Sequence, residues 1–210
     1  MDCLLQEKCK QASVVSSSIF IILVITLKLG MFNIADKAVY EFFKEHENAT
    51  VYNMAIHFSY LSGSIGSLLM FSIMMLIFLK LHKMHELLFS VMFAALSVGI
   101  TIILKYTLLV QRPLNSVNGL SGYSFPSGHG VLSIVLAIVF FLLVSSVAKD
   151  KFILQIVKVL LIIYVFVSML TRLYVGSHWM SDILGSILLA VFVYSISCLL
   201  FNAIKSKVNL

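Results

Sequence analysis

The chain has 210 residues, of which 60% are hydrophobic and 11% are charged, and its formal net charge is +6. This composition excludes an ordinary soluble protein and a disordered chain, and it predicts one membrane domain that covers residues 1–210. Most of the positive charge is lysine near the ends of apolar stretches. We therefore expect the partner of this charge to be the bilayer surface and not a nucleic acid.

Six stretches approach the length of about 20 apolar residues that a helix needs to cross a bilayer. In chain order they cover about residues 13–31, 64–79, 87–110, 131–148, 152–170 and 179–203. All six are predicted to be helices, because backbone in lipid must satisfy its own hydrogen bonds and the strand alternation of a barrel is missing from the sequence. The predicted fold class is an all-α integral membrane bundle of six transmembrane helices.

The segment between the first two stretches, residues 33–63, carries apolar residues at helical spacing: Val39, Phe42, Phe43, Val51, Met54, Ala55 and Phe58. This spacing predicts two short helices, and an amphipathic pair would lie in the outer interface of the membrane. The segment is either a lid or access platform for a lipid substrate or a plain connector. The sequence leaves both interpretations open.

Lysine placement predicts the orientation of the chain. If the amino terminus is cytoplasmic, eight of the thirteen lysines lie on the inner side, at positions 8, 10, 80, 83, 149, 151, 205 and 207. The first apolar run is long and no small-residue cleavage site follows it, which favours an uncleaved anchor. Short loops and the lack of organelle targeting favour a bacterial inner membrane, with the opposite ends of the helices facing the periplasm or exterior.

The two arginines of the chain, Arg112 and Arg172, both follow apolar stretches. Lysine is the usual anchoring residue here, so the rare arginines indicate a need for a planar, permanently charged fork that binds phosphate or carboxylate. The predicted topology brings together four helix ends, which carry Lys105 and Arg112, then the segment "PSGH" at 126–129, then Arg172, then His178 with Asp182. This outer face is the candidate active site.

His178 and Asp182 are spaced i, i+4, which places them on one helix face. A carboxylate that accepts a hydrogen bond from one imidazole nitrogen leaves the lone pair of the other nitrogen free as a nucleophile. The plain alternative is a polar interfacial histidine with a capping aspartate. In the preceding segment, Ser127 fits a helix N-cap and Gly128 allows close approach of backbone to an anion, but helix capping does not explain His129.

Three segments in this order resemble the type 2 phosphatidic acid phosphatases, also called lipid phosphate phosphatases, whose fold is related to that of vanadium haloperoxidases. They are "KYTLLVQRP" at 105–113, "PSGH" at 126–129 and "TRLYVGSHWMSD" at 171–182. The resemblance covers about residues 100–190 and the six-helix layout. Thr171 stands where the family pattern has serine, and it keeps the hydroxyl.

The resemblance implies a metal-independent reaction that needs no cofactor. His178, oriented by Asp182, would attack phosphorus and form a phosphohistidine, and His129 would protonate the leaving oxygen. The residues implied to bind the substrate phosphate are Lys105, Arg112, Ser127, Gly128 and Arg172.

The sequence thus predicts a phosphatase for a lipid phosphate or diphosphate, with undecaprenyl pyrophosphate, phosphatidylglycerophosphate, phosphatidic acid and lipid A as candidates. A lipid phosphotransferase would use the same phosphohistidine, and an anion carrier is a further alternative from a different class. Selectivity among lipids is expected to depend on the loops at 33–63 and 114–125. The sequence does not indicate the oligomeric state.

Overall fold

The computed structural model describes residues 3–113 and 122–208, and within those ranges the chain forms helices and short connections without strands. This confirms the all-α prediction. In chain order the helices are α1 (Cys3–Lys28), α2 (Asn33–Glu45), α3 (Ala49–Leu61), α4 (Ser64–Lys80), α5 (Met84–Leu108), α6 (Gly128–Val147), α7 (Lys151–Tyr174) and α8 (Met180–Val208). Residues 114–121, which include most of the loop expected to influence selectivity, lie outside the described ranges.

Five of the described helices, α1, α5, α6, α7 and α8, are each long and apolar enough to cross a membrane. Helix α4 has 17 residues and reaches the required length only together with α3, from which it is bent by 47°. The chain is therefore a multi-pass membrane protein. The sixth span stays a prediction, because apolar composition does not decide whether a bent pair crosses the bilayer or re-enters it.

Capping residues account for several helix boundaries. Ser127 caps α6, so this helix begins at Gly128, three residues before the predicted start. Asp150 caps α7 by accepting hydrogen bonds from the backbone of Phe152 and Ile153. Helix α7 continues to Tyr174 and not only to about residue 170, which places Arg172 inside its last turn.

Helices α6 and α8 are the most buried of the spans, and α6 contacts α4, α5, α7 and α8. The core between them includes Phe78, Phe93, Val131, Val139 and Val193, all at most 1% exposed. Burial of such side chains contributes about 1.5–3 kcal/mol each in water, but in a bilayer close packing takes over much of this role. The packing fixes the end of α5, the start of α6, the end of α7 and the start of α8 at one end of the bundle.

The two helices predicted within residues 33–63 are present as α2 and α3. Helix α2 contacts α7 and α8, whereas α3 contacts α4 and α7. Asn48 caps α3 with its side chain, and its backbone N–H donates to the Tyr174 hydroxyl at 2.9 Å. These contacts attach both short helices to the end of the bundle that carries the candidate residues; their depth in the membrane interface stays a prediction.

Candidate active site

His178 and Asp182 form a buried pair at the start of α8. The Nδ1 atom of His178 lies 3.1 Å from Oδ2 of Asp182, and the two side chains are 2% and 0% exposed. The ring sits just before the helix, at the i, i+4 spacing that the sequence predicts. A carboxylate at this distance accepts the Nδ1 proton, so the neutral ring keeps its lone pair on Nε2.

The carboxylate of Asp182 is itself fixed by other donors. The backbone N–H of Trp179 donates to Oδ2 at 2.8 Å, and the hydroxyl of Ser124 lies 3.2 Å from Oδ1. Such outer contacts hold a catalytic carboxylate in one orientation. The position of the His178 ring is therefore determined by two segments of the chain, one around residue 124 and one at residues 179–182.

Arg112 lies on the other side of the His178 ring. Its Nη1 atom is 3.2 Å from Nε2 of His178 and donates to the carbonyl of Ser177 at 2.8 Å, while Nε donates to the carbonyl of Gly122 at 3.2 Å. Because guanidinium groups only donate, this contact requires a lone pair on Nε2. Two independent contacts thus indicate the same tautomer of His178.

Lys105, near the end of α5, reaches the segment that precedes α6. Its Nζ atom donates to the carbonyls of Tyr123 and Ser124 at 2.8 and 3.1 Å. A Cβ atom added at Gly128 would lie 4.0 Å from Cε of this lysine, so the lysine side chain lies beside the start of α6. Lys105 thereby adds a cation close to the free N–H groups of a helix start, where an anion binds most readily.

Ser127 is fully buried and accepts a hydrogen bond from the backbone N–H of Gly130 at 3.3 Å, which confirms the predicted N-cap. Its own backbone N–H donates to the carbonyl of Asp182 at 3.2 Å and ties the start of α6 to α8. A Cβ at Gly130 would lie too close to Ser186, which indicates how tightly the two helix starts are packed.

Arg172 and His129 line one cavity of about 360 Å³ together with residues of α3, α4 and the α7–α8 connection. Arg172 is 5% exposed, and its Nε has no hydrogen-bond partner within the described residues. A buried guanidinium with an unused donor is costly unless a ligand satisfies it. The remaining wall of the cavity is mainly apolar and includes Ile56, Tyr60 and Ile65.

Burial and the cluster of cations control the charge of the groups outside the spans. Burial lowers the pKa of His178 well below its usual value, and the positive charges of Arg112, Arg172 and Lys105 lower it further. Burial also lowers the pKa of Arg112 from its ordinary value. His178 is therefore neutral at physiological pH, which is the form that can act as a nucleophile.

The structure brings all the candidate residues to one end of the bundle, as the predicted topology requires. Direct contacts join His178, Asp182 and Arg112, whereas His129 and Arg172 lie on the cavity side. Their roles in a reaction stay predictions.

Two residues that the sequence analysis did not single out, Ser124 and Asp36, also contact the site. Ser124 reaches Asp182, and Asp36 of α2 accepts hydrogen bonds from the backbone N–H and hydroxyl of Ser181 at 2.9 and 2.7 Å. Ser124 belongs to the polar segment before α6, and this position in the sequence could have marked it as a candidate site residue. No sequence pattern marks Asp36 as a residue that contacts the site, because its partner Ser181 lies 145 residues away in the chain.

The comparisons with known proteins agree with this geometry. The sequence model of the PAP2 superfamily matches residues 85–205. No curated protein matches the sequence closely enough to count as a relative. The fold is similar to the crystal structure of the first transmembrane PAP2-type phosphatidylglycerolphosphate phosphatase from Bacillus subtilis, with a TM-score of 0.80, 20% identity and coverage of 93% of this chain and 96% of that chain. It is also similar to the crystal structure of Aquifex aeolicus LpxE, with a TM-score of 0.61, 22% identity and coverage of 78% and 94%.

Proposed function

Because the chain belongs to the PAP2 superfamily, we propose that it is a membrane phosphatase that hydrolyses a lipid phosphate monoester or diphosphate through a phosphohistidine on His178. The observation that carries this proposal is the arrangement around the His178 ring. Asp182 accepts at Nδ1, and Arg112 donates toward Nε2. The ring is thus neutral, correctly oriented and adjacent to a phosphate-binding cation.

In the first step, an incoming phosphate offers Arg112 a doubly hydrogen-bonded partner that is stronger than the His178 ring. The freed Nε2 lone pair then forms a bond to phosphorus, and the bond between phosphorus and the lipid oxygen breaks. The electron pair of that bond stays on the leaving oxygen. Asp182 stabilises the positive charge that develops on the imidazole, since it is fully buried and accepts the Nδ1 proton.

Fixed cations neutralise the phosphate oxygens during this step. Lys105 and Arg112 approach from the carboxyl end of α5 and Arg172 from that of α7, while the Ser127 hydroxyl and the backbone N–H of Gly128 lie at the positive end of α6. Electrostatic stabilisation of this kind is the main contribution to phosphoryl transfer. We propose that these groups supply it without a metal ion, so that activity persists in a chelator.

His129 lies on the cavity side, where the leaving group would sit opposite the attacking nitrogen. It gives its proton to the leaving oxygen as the bond to phosphorus breaks. Water then attacks the phosphohistidine, His129 takes a proton from that water, and the electron pair of the nitrogen–phosphorus bond returns to Nε2. Phosphate is released, and both histidines regain their starting forms.

The cavity also supports a lipid substrate. Its walls combine His129 and Arg172 with apolar side chains of α3 and α4, so a phosphate at the arginine can have a hydrocarbon chain leaving along these helices. The solved PAP2-type protein from Bacillus subtilis is described as a phosphatidylglycerolphosphate phosphatase. We propose phosphatidylglycerophosphate, phosphatidic acid, undecaprenyl pyrophosphate and lipid A as the substrates to test, at the outer face of a bacterial inner membrane.

The experiment is a phosphate-release assay with the purified protein in detergent and EDTA, with each of the four lipids as substrate. We expect release from at least one lipid, and a loss of at least about 10³-fold in His178→Ala, since removing a nucleophile leaves only binding and electrostatic contributions. His46→Ala is the matched control, because His46 is an exposed histidine at the end of α2. The proposal fails if no lipid releases phosphate or if His178→Ala keeps the wild-type rate.

A further inference from the structure

His129 is packed against the α3–α4 break, which consists of the last turn of α3 together with its connection to α4, residues 59–63. The backbone carbonyl of Ser59 faces the His129 side chain, and both residues line the same cavity. Its Nε2 atom also lies close to Gly63: a Cβ atom added at Gly63 would be 3.4 Å from it. The ring is thus held by a segment that is about 70 positions earlier in the chain and lies outside the residues matched by the family model, 85–205.

Gly63 itself has an ordinary backbone conformation, with φ −71° and ψ −178°. Any residue can adopt these angles, so the glycine is not required for backbone geometry. Space is the constraint. A Cβ at this position would lie 3.0 Å from the carbonyl oxygen of Ser59 and 3.1 Å from that of Tyr60. The carbonyl that contacts the His129 ring would have to move to accommodate a side chain.

We propose that the α3–α4 break positions His129 as the general acid, with the Ser59 carbonyl orienting the ring and Gly63 leaving it room. This inference rests on the proposed function. A carbonyl beside one ring nitrogen restricts the rotation of the ring and so directs the other nitrogen toward the leaving oxygen. Ser59 and Gly63 are positioning residues, since they act through His129.

The same break contributes to the cavity that would receive the leaving group. Ser59, Tyr60 and Gly63 line it beside His129 and Arg172. A single bend of the chain thus forms the wall next to the leaving group and orients the acid that protonates it. The break between α3 and α4 therefore has a role in the reaction in addition to that of a connector.

The test compares Gly63→Ala with Gly99→Ala. Gly99 is a helical glycine of α5, and a Cβ there would meet no atom within 4 Å, so it is the matched control. Two substrates are used: phosphatidic acid, whose alkoxide must be protonated on leaving, and a nitrophenyl phosphate that carries an alkyl chain on its ring, whose leaving oxygen needs no proton. A general acid contributes to the first reaction and little to the second.

For Gly63→Ala we expect kcat with phosphatidic acid to fall about 10- to 100-fold, the size of effect that a small misplacement of a catalytic group produces. With the nitrophenyl substrate we expect less than about a 3-fold loss, because proton transfer contributes little there. Gly99→Ala should match the wild type on both. In a His129→Ala background, Gly63→Ala should cause no further loss, since the two changes remove the same contribution.

Equal losses on both substrates, additive losses with His129→Ala, or a Gly63→Ala variant as active as Gly99→Ala would each overturn the inference while leaving the phosphatase in place. A wild-type protein that releases phosphate from none of the four candidate lipids would instead reject the proposed function. If Gly63→Ala does not fold, ¹⁵N NMR of the wild-type histidines provides the test. We expect one ring nitrogen of His129 to stay protonated and hydrogen-bonded, and ring nitrogens that behave as a free imidazole would overturn the inference.

Discussion

Replacement of Asp182 by asparagine should separate the charge of this residue from its geometry. The Oδ2 position accepts from His178 and from the backbone of Trp179, whereas Oδ1 faces the hydroxyl of Ser124. An asparagine oxygen placed at the Oδ2 position can still accept both bonds. Its NH₂ group can then donate to Ser124, because a hydroxyl accepts as well as donates. The His178 tautomer is therefore expected to survive in Asp182→Asn.

What Asp182→Asn removes is the negative charge opposite the cation that forms on His178 during attack. The Nδ1–Oδ2 distance is 3.1 Å. Unit charges this close interact by about 5 kcal/mol at an effective dielectric constant near 20. The amide dipole replaces part of this energy, so we expect kcat to fall about 10²- to 10³-fold, or about 3–4 kcal/mol in the barrier.

Asp182→Ala should differ in both activity and stability. It leaves the backbone N–H of Trp179 and the ring of His178 without their buried acceptor, at about 1–3 kcal/mol for each unsatisfied group. We expect Asp182→Ala to lower the thermal unfolding midpoint in detergent clearly, while Asp182→Asn changes it little. Asp150→Asn is the matched control, because the Asp150 carboxylate likewise accepts hydrogen bonds at a helix start, from two backbone N–H groups, but caps α7 away from the site. Asp182→Asn with wild-type kcat, or with the low stability of Asp182→Ala, would refute this reasoning.

Three further outcomes follow from the site. Asp36→Ala should lower both the thermal unfolding midpoint and kcat, because it leaves two donors of Ser181 unpaired at the start of α8. The control is Glu41→Ala, which removes an exposed carboxylate of the same helix and should change neither quantity. Arg112→Lys should lower kcat/KM about 10²-fold despite keeping the charge, since lysine cannot make the forked contacts, and wild-type kinetics would contradict this. Burial lowers the pKa of His178, so the neutral nucleophile persists as the pH falls, and the acidic limb of a kcat/KM profile should lie below pH 6.5; a limb above that value would contradict it.

The composition of the chain was sufficient to predict an all-helical membrane bundle. The lengths of α5, α6, α7 and α8 were predictable from the lengths of the apolar stretches in the sequence, because a backbone in lipid has few alternatives to a helix. Span number was less predictable. Helix α4 is short, and only the tertiary structure reveals the bend of 47° that separates it from α3.

The residues of the candidate site were predicted because their motif order and the alternating direction of the spans place four helix ends together. Partners from distant segments were not predictable in the same way. The contact of Asp36 with Ser181 and that of His129 with Ser59 depend on how α2 and α3 dock against the bundle. Periodicity indicates which face of a short helix is apolar, but it does not identify the helices that this face meets.

Detection of a phosphohistidine would test whether His178 is the nucleophile. The purified protein would be mixed with ³²P-labelled lipid phosphate, quenched within milliseconds in alkali, and separated from lipid. We expect label on the protein that is stable in alkali, lost in acid, formed as fast as turnover requires, and absent from His178→Ala. Steady release of labelled phosphate with no labelled protein at any time, or equal labelling of His178→Ala, would contradict this role.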